Sequence, residues 1–444
     1  MSATEPRALS SQRSGPLIGR TRVPGDKSIS HRALLLGALA TGKTRIEGLL
    51  EAEDVLNTAG AVSALGAIAR RTGSGWEVLG RGVGGLAEPS SPLDFGNSGT
   101  GVRLTMGAIA GHPMTVRLLG DASLSRRPMR RVLDPLQQMG LEVLEGGETL
   151  PLTIRGTADL VPIFYRLPVA SAQIKSAVLI AGLHAAGETT VDTVATRDHT
   201  ERMLRHFGAR VRVERRGERE AITVGGDAEL MGRDVVVPGD PSSAAFLAAA
   251  ALIVPGSEVS IEGVLVNPTR AGFYQTLREM GGDVSLRNER EEGGEPVADI
   301  MVRSSRLSGV RVPAERAPSM IDEYPILAVV AAFADGVTRM EGLAELKVKE
   351  SDRLGATAAG LAANGVATRV EGDCLIVSGQ GMVRGGGKVA THMDHRIAMA
   401  FLTLGLASDR PVSVDDAGMI ATSFPEFREL MTRLGAQFIE GAVR

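Results

Sequence analysis

The feature that most constrains this chain is an internal repeat. The stretch 237–265, VPGDPSSAAFLAAAALIVPGSEVSIEGVL, copies 23–49, VPGDKSISHRALLLGALATGKTRIEGL, almost step for step. Pro24 answers Pro238, Asp26 answers Asp240, and IEGL answers IEGV. Four weaker copies run from Asn97 to Asp121, Ser171 to Val194, Asp322 to Leu346 and His395 to Asp416. Each keeps one succession: polar start, apolar helix, small-residue turn, short strand. The starts fall about 70–80 residues apart, as expected of one supersecondary unit used repeatedly. A second helix follows each copy and tends to end in a hydrophobic residue plus Gly: Leu65-Gly66, Met139-Gly140, Phe207-Gly208, Met280-Gly281 and Leu434-Gly435, with Asn364-Gly365 in the fifth place. Strand-like segments such as LEVLEGG and ARVRVER come next.

Six units with one strong half-chain echo predict two similar domains of three units each. One spans 24–237; the other takes 1–23 and 238–444. Two helices and several short strands per unit make the class α/β. The apolar first helices imply that each domain buries three of them, with sheets wrapped outside. Periodicity alone leaves the converse open, a doubly wound sheet with helices outside.

The opening copy reads as loop, helix, turn, strand. Ser28 or Ser30 is the expected N-cap, Ala33 to Ala40 the buried helix, and Gly42 its stop. Lys27, Ser28, His31 and Arg32 then stand at the mouth of a helix, where its dipole favours an anion. Gly37 to Thr44, GALATGKT, matches the G-x-x-x-x-G-K-T phosphate loop. That loop needs a strand before it and a helix after it. Here the order is reversed, so Lys43 is expected at a helix C-terminus and nucleotide binding is not.

Composition narrows the class. A chain of 444 residues exceeds one core. The net charge of −3 argues against bulk nucleic-acid binding. No uninterrupted apolar run is long enough to span a membrane. The start, MSATEPRALSSQRSG, lacks the apolar core of a secretory signal and reads as a frayed tail. The lone Cys374 excludes an intrachain disulfide.

Several charged or polar constellations stand at the unit starts. Asp94 to Arg103, DFGNSGTGVR, would let a ligand approach backbone closely, or is an ordinary capped turn. Ser125 to Arg131, SRRPMRR, puts cations at a helix start, against the dipole, so an anion is expected to compensate one of them, with Arg127 the choice. Ser171-Ala172-Gln173 opens the third unit, and Arg197 its second helix. The second half supplies acids. Asp322 and Glu323 precede an apolar helix, where Asp322 is either functional or a simple N-cap. Lys349-Glu350-Ser351-Asp352-Arg353 is a dense charge run, alternatively a solvated helix start. His392 and His395 lie near Arg396 but have too few further ligands nearby for zinc.

These residues carry a resemblance. The chain resembles the 5-enolpyruvylshikimate-3-phosphate (EPSP) synthase family through GDKSISHR, GNSGTGVR, RRPM, SAQIKSA, IDEYP, KESDR, DHRIAM and SFPEF, which run in order from residue 23 to 427. SAQIK, TRDHTE and IDEYPILAV look most like the bacterial branch often insensitive to glyphosate. The resemblance implies two domains of three βαβαββ units, helices inside and sheets outside, an inside-out α/β barrel. It implies that helix N-termini of both domains face a cleft. It implies transfer of the enolpyruvyl group of phosphoenolpyruvate to the 5-hydroxyl of shikimate-3-phosphate, releasing phosphate.

Carried over by motif, the resemblance implies that Lys27 bridges both ligands. Ser28, Arg32, Ser171, Ala172, Gln173, Arg197 and Lys349 would hold shikimate-3-phosphate. Gly99, Arg127, Gln173, Arg353 and Arg396 would line the phosphoenolpyruvate pocket. Asp322 would deprotonate the 5-hydroxyl, and Glu350 would deliver and retrieve the proton at carbon 3. Beyond these two substrates the expectation is no cofactor, no metal, no nucleic acid, no membrane, a monomer and a cytoplasmic location. Two departures stand out. Ser423 and Phe424 are adjacent where many members carry an intervening Lys, and Gly99 stands where insensitive enzymes often have Ala. Glyphosate would then find room at Gly99. The rivals are UDP-N-acetylglucosamine enolpyruvyl transferase, which needs a Cys on a mobile loop, an RNA-end cyclase-like protein of the same fold, and a non-enzymatic repeat scaffold.

Overall fold

The apolar run of each repeat forms a helix: α1 (Lys27–Leu39), α3 (Gly99–Ala110), α5 (Ala172–Gly182), α7 (Pro241–Ile253), α10 (Tyr324–Ala332) and α12 (His395–Gly405). The structure is a computed structural model and describes residues 7–73 and 75–441. In α7 and α10 every residue is buried, as an all-round apolar helix requires. The second helices are α2 (Glu53–Ala64), α4 (Arg130–Met139), α6 (His199–His206), α8 (Gly272–Glu279), α11 (Arg353–Ala363) and α13 (Phe427–Leu434), with a short α9 (Ala317–Met320) before α10. The residues that follow them, Gly66, Gly140, Gly208, Gly281, Gly365 and Gly435, all have φ between +82° and +119°. A side chain there would be strained, which explains why Gly recurs at this one place in the repeat.

The chain divides into two units by its internal contacts. The N-unit holds Gly25–Pro238 and Glu292–Glu295; the C-unit holds the described residues of Met1–Pro24, Gly239–Glu291 and Pro296–Arg444. In the N-unit α3 packs on α1 and α5; in the C-unit α7, α10 and α12 pack on one another. The helices are therefore the inner layer of each unit, and the doubly wound alternative is excluded.

Among the described residues, six four-stranded sheets complete the architecture. Each pairs an edge strand in parallel with the next, and the rest antiparallel. In the fifth repeat Arg311–Val312 runs parallel to Asp335–Met340, which is antiparallel to Cys374–Gln380, itself antiparallel to Ala367–Glu371. Two edge strands are exchanged. Ile18–Thr21 precedes α1 in the chain but joins Glu258–Leu265 of the α7 repeat. Asp234–Val236 precedes α7 but joins Lys43–Glu47 of the α1 repeat. The N-terminal stretch is no frayed tail from Leu9 onward: Leu9–Gln12 is flanked by Val412–Val414 and Gln437–Glu440. Residues 1–6 of that tail lie outside the described residues.

The opening copy differs from expectation at both ends. Asp26, not Ser28 or Ser30, caps α1, its Oδ1 accepting from the Ile29 N–H at 2.8 Å. A carboxylate there gains the dipole as well as the hydrogen bond. Ser30 Oγ accepts instead from the Leu50 N–H at 3.0 Å. The helix thus starts at Lys27, and Lys27, Ser28, His31 and Arg32 occupy its first turns rather than a loop. It stops with Ala40 extended, and Gly42, at φ +83°, turns the chain into the next strand. Lys43 is not at a helix C-terminus. It opens the strand Lys43–Glu47, and its Nζ lies 2.7 Å from Glu77 Oε1. GALATGKT forms no phosphate loop.

Candidate functional site

In the N-unit the first turns of α1, α3 and α5 are tied together by hydrogen bonds. Lys27 pairs with the buried carboxylate of Asp54 on α2. Arg32, only 2 % exposed, donates to Ser28 O, Thr200 Oγ1 and Ser176 Oγ, each at 2.7 Å, joining α1 to α5 and α6. Ser98 caps α3, accepting from the Gly101 N–H at 3.2 Å. Arg103, one turn in, donates to Gly99 O at 3.0 Å, Gln173 Oε1 at 3.1 Å and Pro128 O at 3.1 Å. Gln173 Nε2 in turn donates to Thr100 Oγ1 at 2.9 Å. Ser171 caps α5 as expected, its Oγ accepting from the Ile174 N–H at 3.4 Å, and Ala172 is the first helical residue.

Arg127 does not open a helix; it follows a 3₁₀ turn, Leu124–Arg126, three residues before α4. It is buried, and it donates to Asn97 Oδ1, to Asn97 O at 3.3 Å and to Ser123 Oγ at 3.3 Å. Asn97 is oriented by its own bond to Asp121 Oδ2 at 2.7 Å. Its hydrogen bonds to Asn97 and Ser123 thus go to neutral oxygens. The carbonyl of Arg197 accepts from Lys175 Nζ at 2.8 Å, and Lys175 pairs with Glu201 at 2.6 Å in the interior. His31 donates or accepts at Thr58 Oγ1, 2.8 Å away. Burial, then the charges of Lys27 and Arg32, push its pKa well below the usual range, so it adds no positive charge. Cations held by neutral oxygens keep their charge, and the helix N-termini add to it. The cluster is suited to anions.

The C-unit cluster is built around one arginine. Arg353, the first residue of α11, is fully buried. Its Nε lies 2.8 Å from Asp394 Oδ2; Nη2 lies 3.2 Å from Asp394 Oδ1 and 2.5 Å from Glu350 Oε2; Nη1 lies 3.1 Å from Asp322 Oδ1. Burial is the largest single influence and opposes its charge. Asp394, Glu350 and Asp322 together outweigh it, so its pKa is raised. Asp394 also caps α12, accepting from the Arg396 N–H at 2.9 Å. Asp322 is not an N-cap. It sits in a 3₁₀ turn, Ile321–Glu323, and Lys349 Nζ approaches it to 3.3 Å. Arg396 Nη1 donates to Asp322 O at 3.2 Å and stands 3.7 Å from Glu323. Glu323 accepts from Ser242 Oγ at the start of α7, and Ser242 Oγ accepts from Arg270 at 3.0 Å.

So Lys27, Ser28, Arg32, Gly99, Arg127, Ser171, Ala172, Gln173 and Arg197 fall on the entrances of neighbouring elements in the N-unit. Asp322, Lys349, Glu350 and Arg353 form one connected ion network in the C-unit, which Arg396 joins through the Asp322 carbonyl. Asn97, Arg103 and Asp394 lay inside motifs that the sequence marked but were given no role of their own, and Asp54 was not marked. Arg103 had a usable signal, since four residues after Gly99 returns it to the same helix face. Asp394 had one too, as an Asp directly before an apolar run. Asn97 stood at the polar start of its repeat copy, and Asp54 had no signal.

The remaining candidates lie elsewhere. His395 Nδ1 is 3.4 Å from Thr422 Oγ1. A His–carboxylate grouping compact enough for an ion occurs instead at Asp198, His199 and Glu295, where Arg202 lies 2.7 Å from Asp198 and 3.7 Å from Glu295. Cys374 is buried in the strand Cys374–Gln380, and burial raises its pKa. Phe424 is core, packed edge-on against Phe427.

A family model for EPSP synthase (3-phosphoshikimate 1-carboxyvinyltransferase) matches residues 11–431. The 3-phosphoshikimate 1-carboxyvinyltransferase of Methylorubrum populi is 61% identical over 448 residues, covering 99% of each chain. That of Paramagnetospirillum magneticum is 62% identical over 436 residues, covering 97% of this chain and 98% of its own. Among solved structures, EPSP synthase from Acinetobacter baumannii matches with a TM-score of 0.85 at 42% identity, over 98% of this chain and 100% of that one. The enolpyruvyl transferase NikO from Streptomyces tendae matches with a TM-score of 0.75 at 18% identity, over 99% and 100%, a likeness of fold alone.

Proposed function

The chain belongs to the EPSP synthase (3-phosphoshikimate 1-carboxyvinyltransferase) family, and on that premise we propose that its two clusters hold the family's substrates and move their protons. The activity is transfer of the enolpyruvyl group of phosphoenolpyruvate to shikimate-3-phosphate. Both substrates are small anions, so cations that keep their charge are what ground-state binding requires. In this reading Lys27 touches both. Ser28, Arg32, Ser171, Ala172, Gln173, Arg197 and Lys349 receive shikimate-3-phosphate, and Gly99, Arg127, Gln173 and Arg396 receive phosphoenolpyruvate. Arg353, wholly buried behind its carboxylates, acts as a positioning residue.

The chemistry then needs an acid and a base. Glu350 protonates carbon 3 of phosphoenolpyruvate, which makes carbon 2 electrophilic. Asp322 takes the proton of the 5-hydroxyl as its oxygen bonds to carbon 2. Glu350 removes a proton from carbon 3 as the carbon 2–phosphate bond breaks, which restores the double bond. Charge that builds on the departing phosphate meets Lys27, Arg127 and Arg396.

One observation carries this reading: Asp322 and Glu350 are held by a single guanidinium, that of Arg353. Contacts with one rigid planar group limit how far apart they can lie. Cys374, buried in a strand, is no candidate for the loop thiol of the rival transferase. We also propose a monomer working in the cytoplasm; among the described residues no helix is long and apolar enough to cross a membrane. The test is phosphate release. It is expected only with both substrates present, and release that survives omission of either one overturns the proposal.

A further inference from the structure

The C-unit has a cavity of about 310 Å³ whose walls include none of the residues placed in the two clusters above. It opens between the edge strand Ile18–Thr21 and α13. Three arginines line it, Arg20, Arg22 and Arg433, beside three aliphatic side chains, Ile18, Leu430 and Leu434. Leu430 and Leu434 are buried, whereas Ile18 is 63% exposed at the rim. Gly19 also lines the space. Its φ is +141°, and a Cβ added there would come within 3.3 Å of Leu434 Cδ2. A side chain at 19 would therefore narrow the cavity as well as strain the strand.

The charge of this lining is poorly compensated. Arg22 meets Glu262 at 3.5 Å and Arg433 meets Glu429 at 3.9 Å, with both arginines mostly exposed. Such exposed pairs are weak. Among the described residues Arg20 makes no ion pair. The volume lies at the small end of ligand sites, about 300–1,000 Å³, so the occupant is about one ring in size. Guanidinium groups favour planar oxyanions, which they bind in a fork, and the leucines favour an apolar body.

We propose that this cavity is a second ligand site, for a small amphipathic carboxylate. The site is independent of the reaction assigned above. Calorimetric titration of the full chain with phenylacetate is expected to show one saturable event. It should weaken about tenfold or more in the Arg20→Gln/Arg433→Gln variant and be about tenfold or more weaker for phenylacetamide, which keeps the shape without the charge. Phosphate release by that double variant should stay at the wild-type rate, which excludes a general loss of fold. Equal affinity in wild type and variant, equal binding of the amide, or no saturable binding of phenylacetate would each overturn the proposal. So would protein-concentration-dependent sedimentation that the same variant abolishes, since that assigns the open strand edge to a second copy of the chain.

Discussion

The N-unit and C-unit clusters are built on one repeat but set different groups around their arginines. In the N-unit, Arg32, Arg103 and Arg127 donate to hydroxyl, amide and carbonyl oxygens, while Lys27 and Lys175 meet the carboxylates of Asp54 and Glu201. In the C-unit, Arg353 lies among Asp322, Glu350 and Asp394. A neutral oxygen solvates a guanidinium without cancelling its field, so bonds of the first kind leave its charge in place. Carboxylates cancel it, so the second turns an arginine into a clamp for acids. The lesson is that the helix entrance is a frame, and the partner chemistry decides whether it binds an anion or orients a base.

The comparison breaks first if the clamped acids are not needed. Glu350→Gln is expected to lower kcat by about 10²–10⁴-fold, the range of general acid–base catalysis, with substrate affinity near wild type. Single-turnover phosphate release with parallel binding titrations checks this. Loss of binding instead would make Glu350 a holding group. Next in size is Arg353→Met, which strands buried carboxylates and should destabilise by about 3–5 kcal/mol in urea unfolding. Arg127→Met removes the donor to Asn97 and Ser123 and should cost about 1–3 kcal/mol. Equal losses would erase the distinction between the units.

A smaller effect concerns acid. In the N-unit, burial lowers the pKa of His31, His112 and His184. For His184, burial and then the neighbouring His112 bring it to about 3. An unfolded histidine titrates near 6.5, so between about 6.5 and 3 the unfolded state holds the extra proton. Stability from this site is complete above that window and falls as the pH drops through it, by about 1.4 kcal/mol at pH 5.5. His184→Phe should flatten that part of the difference between urea midpoints at neutral and acidic pH. The smallest effect is that of Gly99→Ala. The new Cβ would lie 2.8 Å from Arg127 Nη1 and 2.9 Å from Arg103 Nη1, both ends of flexible side chains. They would shift, and KM for phosphoenolpyruvate should rise about threefold to tenfold with little change in stability. Glyphosate, the longer molecule, should be hindered more; equal inhibition of wild type and variant would remove the steric argument.

Much of the fold was legible because the repeat carries its own punctuation. The apolar runs marked the inner helices, and the paired hydrophobic-Gly positions marked the ends of the second helices. Caps were harder to read. Asp26, Ser28 and Ser30 all suit an N-cap by chemistry, and the choice falls to where the backbone arrives, with Asp26 N–H bonded to Pro238 O at 2.7 Å. The site residues stood out by motif, but their partners did not. Arg353 and Asp394 are 41 positions apart, and Arg127 and Asn97 are 30. No local pattern announces such pairs. Lys43 shows the reverse case, a matching motif whose secondary-structure context forbids its usual use.

The exchanged edge strands have a consequence for how the chain can be made. Gly25–Pro238 is inserted into the C-unit, whose first strand, Leu9–Gln12, is registered against Val412–Val414 and Gln437–Glu440. During synthesis the inserted unit can mature as soon as Asp234–Val236 emerges, needing only the later Glu292–Glu295 hairpin tip to be complete. The outer unit must keep Leu9–Gln12 unpaired until Val412–Val414 has left the ribosome.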